Sequence, residues 1–259
     1  MKKKNEKAYF NDQWKLMLAH FKSFIKTDAQ EELHLFRVQV KKLRAMLELL
    51  DIVSSKPYLS KDFKPVKKIF KHGGDIRSAY VNLQFGVRYQ LKNEEFLMGQ
   101  LYTMETGTND FKIFGRKYLK AIKEAHHEIA DDLRPVDNKA IVGFYKTRLD
   151  EIAIALDKLQ FNDGLHDTRK QIKMLVYNRK LAQEALDGKL HIDNDYLDKL
   201  QDTIGNWHDN ILALELFSSE GVAHKPIITK IKRQNIRLKR SITVLAQNFE
   251  KKAVLSGTL

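Results

Sequence analysis

The feature that most constrains the fold of this chain is an internal repeat, in which one pattern of residues recurs after 131 or 132 positions. A histidine, two cations and a glycine take part in it. The matched pairs are His34 and His166, Arg37 and Arg169, Lys41 and Lys173, and, at 131 positions, Gly74 and Gly205. The apolar residues around them keep the same phase. Because chance would rarely preserve all of these positions together, we expect two copies of one structural unit.

The apolar residues recur with the period of α-helices along the chain. Around HLFRVQVKKLR, from His34 to Arg44, they step by three and four, which indicates one buried helical stripe. That stripe contains Leu33, Phe36, Val40, Leu43, Leu47 and Leu50. The sequence has only 4 prolines and 12 glycines and no alternating, strand-like run. We therefore predict an all-α fold of two pseudo-symmetric four-helix bundles, residues 1–134 and 135–259, which divide at Arg134-Pro135.

Local signals predict where the helices begin and end. In the first bundle we expect helices over about 6–26, 27–54, 60–91 and 93–133, the last interrupted at residues 106–108. Thr27 and Gln30 form a weak capping box, Pro57 marks a break, and Pro65 is tolerated in the first turn of the third helix. In the second bundle we expect helices over about 138–159, 164–187, 194–217 and 226–251.

A row of basic residues lies beside the buried stripe. His34, Arg37, Lys41 and Arg44 follow the same three-and-four rhythm, one residue further on. At about 100° per residue this row flanks the core and does not face open water. Cations in such a place repel one another and lose hydration, so the row favours an anion as its partner.

Three other helices carry comparable rows. The second copy has His166, Arg169 and Lys173 with Lys170 at the edge, and Val176 where the first has Arg44. The remaining two rows are Arg116, Lys120, Lys123 and His127, and Lys230, Arg233, Arg237 and Arg240. If the bundles pair face to face, all four rows would converge on one basic groove, where Arg suits bidentate contact with phosphate oxygens. For the last helix alone, an ordinary solvated face is the favoured interpretation.

The overall charge also points to an anionic partner. The net charge is +13, from 46 Lys and Arg against 33 Asp and Glu, which suits nucleic acid, an anionic membrane or a phosphorylated compound. There is no cysteine, which excludes disulfides and thiolate chemistry and is typical of a reducing compartment. No signal peptide and no run of roughly 20 apolar residues is found. We expect a cytoplasmic protein.

Signals for catalysis and for metal binding are weak. The sequence has no HExxH, GxSxG or Walker motif. His126 and His127, with the nearby Glu128, Asp131 and Asp132, could be drawn as a metal site, but adjacent histidines on a helix point about 100° apart and chelate poorly. We therefore expect no enzyme activity, no metal and no cofactor.

Several of the singled-out residues have a structural interpretation as well as a functional one. His34 and His166 are either hydrogen-bonded residues at a helix edge or donors to phosphate. For Trp207 we expect core packing. For Gly74 and Gly205 we expect close helix contacts, because nothing nearby has the spacing of a P-loop.

These motifs together resemble the CHAD family, the conserved histidine α-helical domains. The resemblance rests on HLFRVQVKKLR at 34–44 and LHDTRKQIKMLVY at 165–177, with support from GDIRSAYV at 74–81 and IGNWHD at 204–209. It spans nearly the whole chain. The sequence departs from the family pattern at Ser78, where an Asp is usual, and at Val176, where a cation is common.

The resemblance implies two helical bundles whose basic inner surface binds inorganic polyphosphate without catalysis, with a location at polyphosphate granules. The residues that it assigns to binding are His34, Arg37, Lys41, Lys42, Arg44, Arg77, His166, Arg169, Lys170, Lys173, His208 and Asp209. To these we add Arg116, Lys120, Lys123, Arg233, Arg237 and Arg240 from the other basic rows.

Two other functions stay open as alternatives. The net charge would suit an RNA- or DNA-binding protein, although few exposed aromatic residues are expected for base stacking. A phosphoryl-transfer enzyme would use His34 or His166 as nucleophile or general acid, although no carboxylate partner is evident for either.

Overall fold

The structure is a computed structural model that describes residues 3–54, 58–187, 189–219 and 224–255, with side chains from Glu6 onward. The chain divides into two compact units, Met1–Val136 and Asp137–Leu259. Over these ranges the ordered elements are α-helices, and the one pairing of extended residues is an isolated antiparallel bridge between Ile192 and Val254. The predicted all-α class is confirmed. The pseudo-symmetry of two four-helix bundles stays a prediction.

In its described residues, 3–54 and 58–136, the first unit contains five long helices and one short one. They are α1 (Lys3–Thr27), α2 (Gln30–Val53), α3 (Leu59–Asp62), α4 (Lys64–Tyr89), α5 (Glu94–Ile113) and α6 (Gly115–Asp132). α1 packs along α2, α4 packs along α5, and α4 also contacts α2 and α6. The predicted apolar stripe of α2 is confirmed, since all six of its residues are buried in this core.

The part of the second unit that the structure describes contains four long helices and one short one. They are α7 (Asn138–Asp157), α8 (Asp163–Leu186), α9 (Asn194–Ser218), α10 (Lys225–Ala246) and α11 (Phe249–Ala253). Each long helix packs against the next, and α11 returns to contact α7 and α9. The last segment is fixed by the hydrogen bonds that Asp193 N donates to Ala253 O and Leu255 N donates to His191 O.

The predicted interruption at residues 106–108 is wrong, because α5 runs through it without a break. The hydroxyls of Thr106 and Thr108 donate to the carbonyls of Tyr102 and Met104, four residues earlier, and so keep to the helix. A Cβ at Gly107 would lie 2.9 Å from Ile76 Cγ1. This glycine therefore serves the close approach of α4. The chain breaks instead at Phe114, between α5 and α6.

Two other local predictions are also wrong. The capping box of α2 does not form: its N-cap is Ala29, which makes no side-chain cap, and Thr27 belongs to the end of α1. The last helix does not reach residue 251, because α10 ends at Ala246 and Asn248 adopts a left-handed conformation with φ 55° before α11. Pro65 lies in the first turn of α4 as predicted. Pro57 and the predicted stop at Gly188 lie outside the described residues.

Within the described ranges, no helix is long and apolar enough to cross a membrane.

Candidate anion-binding site

The first motif begins on α2, where the side chains of His34 and Arg37 are half-buried against α4. Arg37 Nη1 donates a hydrogen bond of 2.5 Å to the carbonyl of Phe70, and the guanidinium carbon lies 4.0 Å from the centroid of the Phe70 ring. One N–H of Arg37 is thus committed to the backbone of the neighbouring helix, and its flat face is covered by an aromatic ring.

Gly74, which has no side chain, leaves room for the guanidinium of Arg37. A Cβ on Gly74 would lie 3.3 Å from Arg37 Nη1, which is close for a carbon against a guanidinium nitrogen. Phe70, whose carbonyl accepts the bond, precedes this glycine by one helical turn. The predicted close helix contact at Gly74 is confirmed, and the group that approaches is the motif arginine itself.

The second unit repeats this contact between α8 and α9. Arg169 Nε donates a hydrogen bond of 2.9 Å to the carbonyl of Gln201, and Gln201 precedes Gly205 by four residues. A Cβ on Gly205 would lie only 2.6 Å from Arg169 Nη2, so no larger residue fits while the arginine stays in place. In both units the motif arginine is therefore a contact between helices as well as a cation.

Cations crowd one another beside His34. Burial, and then the positive charge of Arg77 on α4, lower the pKa of His34. Burial, and then Arg77 again, lower the pKa of Arg37, while Asp75 acts against them. Arg77 itself lies with its guanidinium carbon 4.9 Å from the centroid of the Tyr80 ring. The positive charges repel one another here, and a bound anion would relieve that repulsion.

In the second unit a pair of histidines occupies the corresponding place. The rings of His166 and His208 stack with centroids 4.1 Å apart and planes inclined by 29°. His166 Nδ1 is buried and has no hydrogen-bond partner among the residues that the structure describes. Burial, and then His208, Lys170 and Arg169, lower the pKa of His166, against a small opposing effect of Asp167.

The outer part of each motif is more open to water. Lys41 and Arg44 are exposed, and Arg44 forms an ion pair of 2.6 Å with Glu48 on its own helix. In the second unit Lys170 pairs with Asp167 at 2.8 Å, and Lys173 lies 5.1 Å from the centroid of the Tyr177 ring. Arg44 and Lys170 thus already have own-helix counter-charges, which the basic rows alone did not predict. Exposed pairs of this kind contribute little to stability and exchange readily for another anion.

The remaining predicted residues occupy varied surroundings. Lys42 is half-buried, Ser78 and Asp209 are exposed, and Val176 is buried in the core of the second unit. The position that matches Arg44 thus faces inward in the second unit, which accounts for its apolar residue.

The rows on α6 and α10 lie on exposed helix faces. All eight members have exposed side chains, namely Arg116, Lys120, Lys123, His127, Lys230, Arg233, Arg237 and Arg240. Lys120 is 3.7 Å from Glu124 on the same helix. Convergence of these rows with the two motifs on a shared groove stays a prediction.

Three residues of the first motif were not identified from the sequence. Burial lowers the pKa of His34, of Arg77 and of Arg37. Glu31 opposes this lowering for His34 and Arg77, Asp75 opposes it for Arg37, and the Tyr80 ring lies against Arg77. Glu31 precedes His34 by three residues on the same helix face, a spacing that could have identified it. Nothing in the sequence alone indicates that Asp75 acts on Arg37, because that effect requires the packing of α4 against α2.

The two histidines considered for a metal point into different surroundings. His126 Nε2 donates a 2.9 Å hydrogen bond to Asn11 Oδ1, and its ring stacks on Phe10, whereas His127 is 83% exposed. No group of three or more His, Asp or Glu that could hold a metal ion is found among the residues that the structure describes.

Comparison with known proteins identifies one family. The model of the CHAD domain family matches residues 8–218 of the chain. The crystal structure of the CHAD domain from the plant Ricinus communis is similar, with a TM-score of 0.68 at 15% sequence identity over 98% of this chain and 93% of that chain. At that identity the likeness shows the fold. A comparison with curated proteins finds no match.

Proposed function

This chain belongs to the CHAD domain family, and on that premise we propose that it binds inorganic polyphosphate, without catalysis, on the basic surfaces of its two units. The observation that carries the proposal is the crowding of half-buried cations beside each motif histidine. Burial and mutual repulsion disfavour the charge of Arg37 and of His34. A polyanion with about one charge per phosphate would supply the counter-charge along the row.

The contacts divide the motif residues into two roles. Arg37 and Arg169 each donate one N–H to a backbone carbonyl of a neighbouring helix. They therefore position the helices and add to the local positive potential. Direct phosphate contact falls to their more accessible neighbours, which are His34, Lys41, Lys42 and Arg77 in the first unit and His166, Lys170, Lys173 and His208 in the second.

Removing two cations of the first motif would test the proposal. The double substitution Lys41→Ala with Arg77→Gln should weaken binding of long-chain polyphosphate by at least about tenfold, because each lost charge-assisted hydrogen bond is worth roughly 1.5–3 kcal/mol. Isothermal titration calorimetry at two salt concentrations measures the effect. Raising the salt should weaken wild-type binding, since association releases counterions.

A matched control separates specific contacts from overall charge. Lys15 and Lys22 are exposed on α1, and their replacement by Ala removes the same net charge outside the motifs. This control should bind nearly as tightly as the wild type. Equal losses in the two double variants, or binding that ignores salt, would contradict the assignment of the site.

The same reagents distinguish the other two functions. Single-stranded RNA should fail to displace polyphosphate at equal phosphate concentration, because stacking platforms as well as charge are needed for tight binding of bases. Release of inorganic phosphate with and without magnesium should stay at the background rate. Tight RNA binding or phosphate release would replace the proposed function by the corresponding alternative.

Binding to a polymer also suggests a place in the cell. We propose that the protein gathers at polyphosphate granules, and that a fluorescent fusion carrying Lys41→Ala with Arg77→Gln loses this localisation.

A further inference from the structure

The two motifs differ at one position that faces the motif histidine. Arg77 in the first unit and His208 in the second lie 131 positions apart, the spacing of the glycines that precede them by three residues. Arg77 acts on His34 as a permanent cation. His208 stacks directly on His166 at 4.1 Å. The first unit therefore holds one titratable group and a fixed charge, whereas the second holds two titratable groups.

The stacked rings resist carrying two charges at once. Two imidazolium ions at this distance would repel each other, and no described residue forms a hydrogen bond with the buried His166 Nδ1. The groups on α8 that act on His166 are Arg169, Lys170 and Asp167, and His208 acts on it from α9; among the described residues none acts on it from α7. The positive groups prevail, which lowers the pKa of His166.

The positions one helical turn away from His208 on α9 carry no carboxylate. The residues three and four positions away on α9 are Ile204, Gly205, Ile211 and Leu212. From α10, Lys239 lies over the Phe161 ring and is not among the described groups that act on His166. The cations that act on His166 come from α8, and Asp167, which opposes them, is already bonded to Lys170.

We propose that phosphate binding by the second unit is coupled to proton uptake by the stacked His166–His208 pair, whereas the first unit relies on the permanent charge of Arg77. This inference rests on the proposed function. A phosphate oxygen placed against the rings would offset the repulsion between them and provide an acceptor for imidazolium N–H groups.

The sign of the pH dependence follows from linkage. An anion that binds the protonated pair more tightly than the neutral pair takes up protons as it binds, so binding tightens as the pH falls. For each proton taken up, affinity changes by about tenfold per pH unit. Partial uptake by the pair should make wild-type binding about tenfold weaker at pH 8 than at pH 6. Long-chain polyphosphate is the probe, because its internal phosphates stay singly charged across this range.

A reciprocal exchange of the two matched residues tests the coupling. His208→Arg should reduce the number of protons taken up and the difference in affinity between pH 6 and pH 8, whereas Arg77→His should increase both. Calorimetry in two buffers with different ionisation enthalpies counts the protons. His191 is exposed on the segment between α8 and α9, so His191→Arg adds the same charge to the second unit outside the motif and should keep the wild-type proton uptake.

Each outcome bears on a different statement. If His208→Arg does not fold, as judged by circular dichroism, His208→Gln takes its place and should also lose proton uptake. Binding of polyphosphate with wild-type proton uptake in the folded His208 variants would overturn the coupling and leave the proposed function intact. Absence of binding by the wild type at every pH would overturn the proposed function, and the coupling with it.

Discussion

At the scale of single residues, the motif arginines show how one side chain serves both packing and charge. Arg37 and Arg169 reach across to the next helix and donate to a carbonyl one turn before a glycine. A Cβ at Gly205 would occupy the space of the Arg169 guanidinium, and a Cβ at Gly74 would lie 3.3 Å from Arg37 Nη1. A histidine motif and a glycine motif far apart in the sequence are thus two halves of one contact.

This contact predicts the effect of adding one methyl group. Gly205→Ala should force Arg169 away from the Gln201 carbonyl, because the new Cβ would lie 2.6 Å from its Nη2. Alanine gains up to about 1 kcal/mol of helix propensity, while the lost buried hydrogen bond costs about 1–3 kcal/mol.

Gly143→Ala provides the matched control, since a Cβ at Gly143 on α7 meets nothing within 4 Å. Gly143→Ala should raise the free energy of unfolding in urea. The value for Gly205→Ala should be about 1–3 kcal/mol lower than that for Gly143→Ala. Equal effects of the two substitutions would show that the arginine contact contributes nothing to stability.

Glu6 is a second residue whose environment decides its chemistry. Its side chain is fully buried, Oε1 accepts a hydrogen bond of 3.0 Å from Val136 N, and no group in the described part of the chain is bonded to Oε2. Burial raises the pKa of Glu6, although the bond from Val136 acts against it. Stability from this group is therefore full below the unfolded pKa, about 4.3, and is lost as the pH rises through the higher folded value.

Glu6→Gln should raise the melting temperature at pH 7, because the amide keeps an acceptor for Val136 N and carries no charge. The advantage should vanish at about pH 4, where the wild-type carboxyl is protonated in both states. Calorimetric melts across this range measure the difference. Glu128→Gln, at an exposed position on α6, should show no such trend, and a pH-independent effect of Glu6→Gln would contradict the argument.

At the scale of elements, the helices are determined by different kinds of signal. The period of the apolar residues predicts α2, and these residues are buried in the core as predicted. The breaks are less evident from sequence: α5 continues through two threonines and a glycine, and α10 stops at Gln247-Asn248 without any proline or glycine. Such ends depend on tertiary packing, which compensates for weak local preference.

The end of α4 offers a prediction at this scale. Its C-cap, Gln90, adopts the left-handed conformation with φ 55°, which favours glycine. Gln90→Gly should stabilise the protein by about 0.5–1 kcal/mol, because glycine removes the strain of a Cβ in that region. Gln183→Gly, within α8, should instead destabilise by about 1 kcal/mol. Denaturant unfolding distinguishes the two, and destabilisation by Gln90→Gly would contradict the predicted strain.

At the scale of the whole molecule, charge and repeat act together. A net charge of +13 draws polyanions to the protein at long range. Under the proposed function, affinity then depends on the motif residues around His34 and His166, because other exposed cations such as Arg44 and Lys120 already have acidic neighbours on their own helices. The repeat supplies two such groups of residues with different chemistry, one with a permanent cation and one with a second histidine.

The sequence by itself determined the helical class, the buried face of α2 and the two matched motifs, because these depend on periodicity and on residue type. Only the tertiary structure decided that Arg37 and Arg169 bond to neighbouring helices, that Asp75 acts on Arg37, and that His208 stacks on His166. Those contacts join residues on different helices. Their geometry is set by how the helices pack, and no local pattern along the chain encodes a distance between two helices.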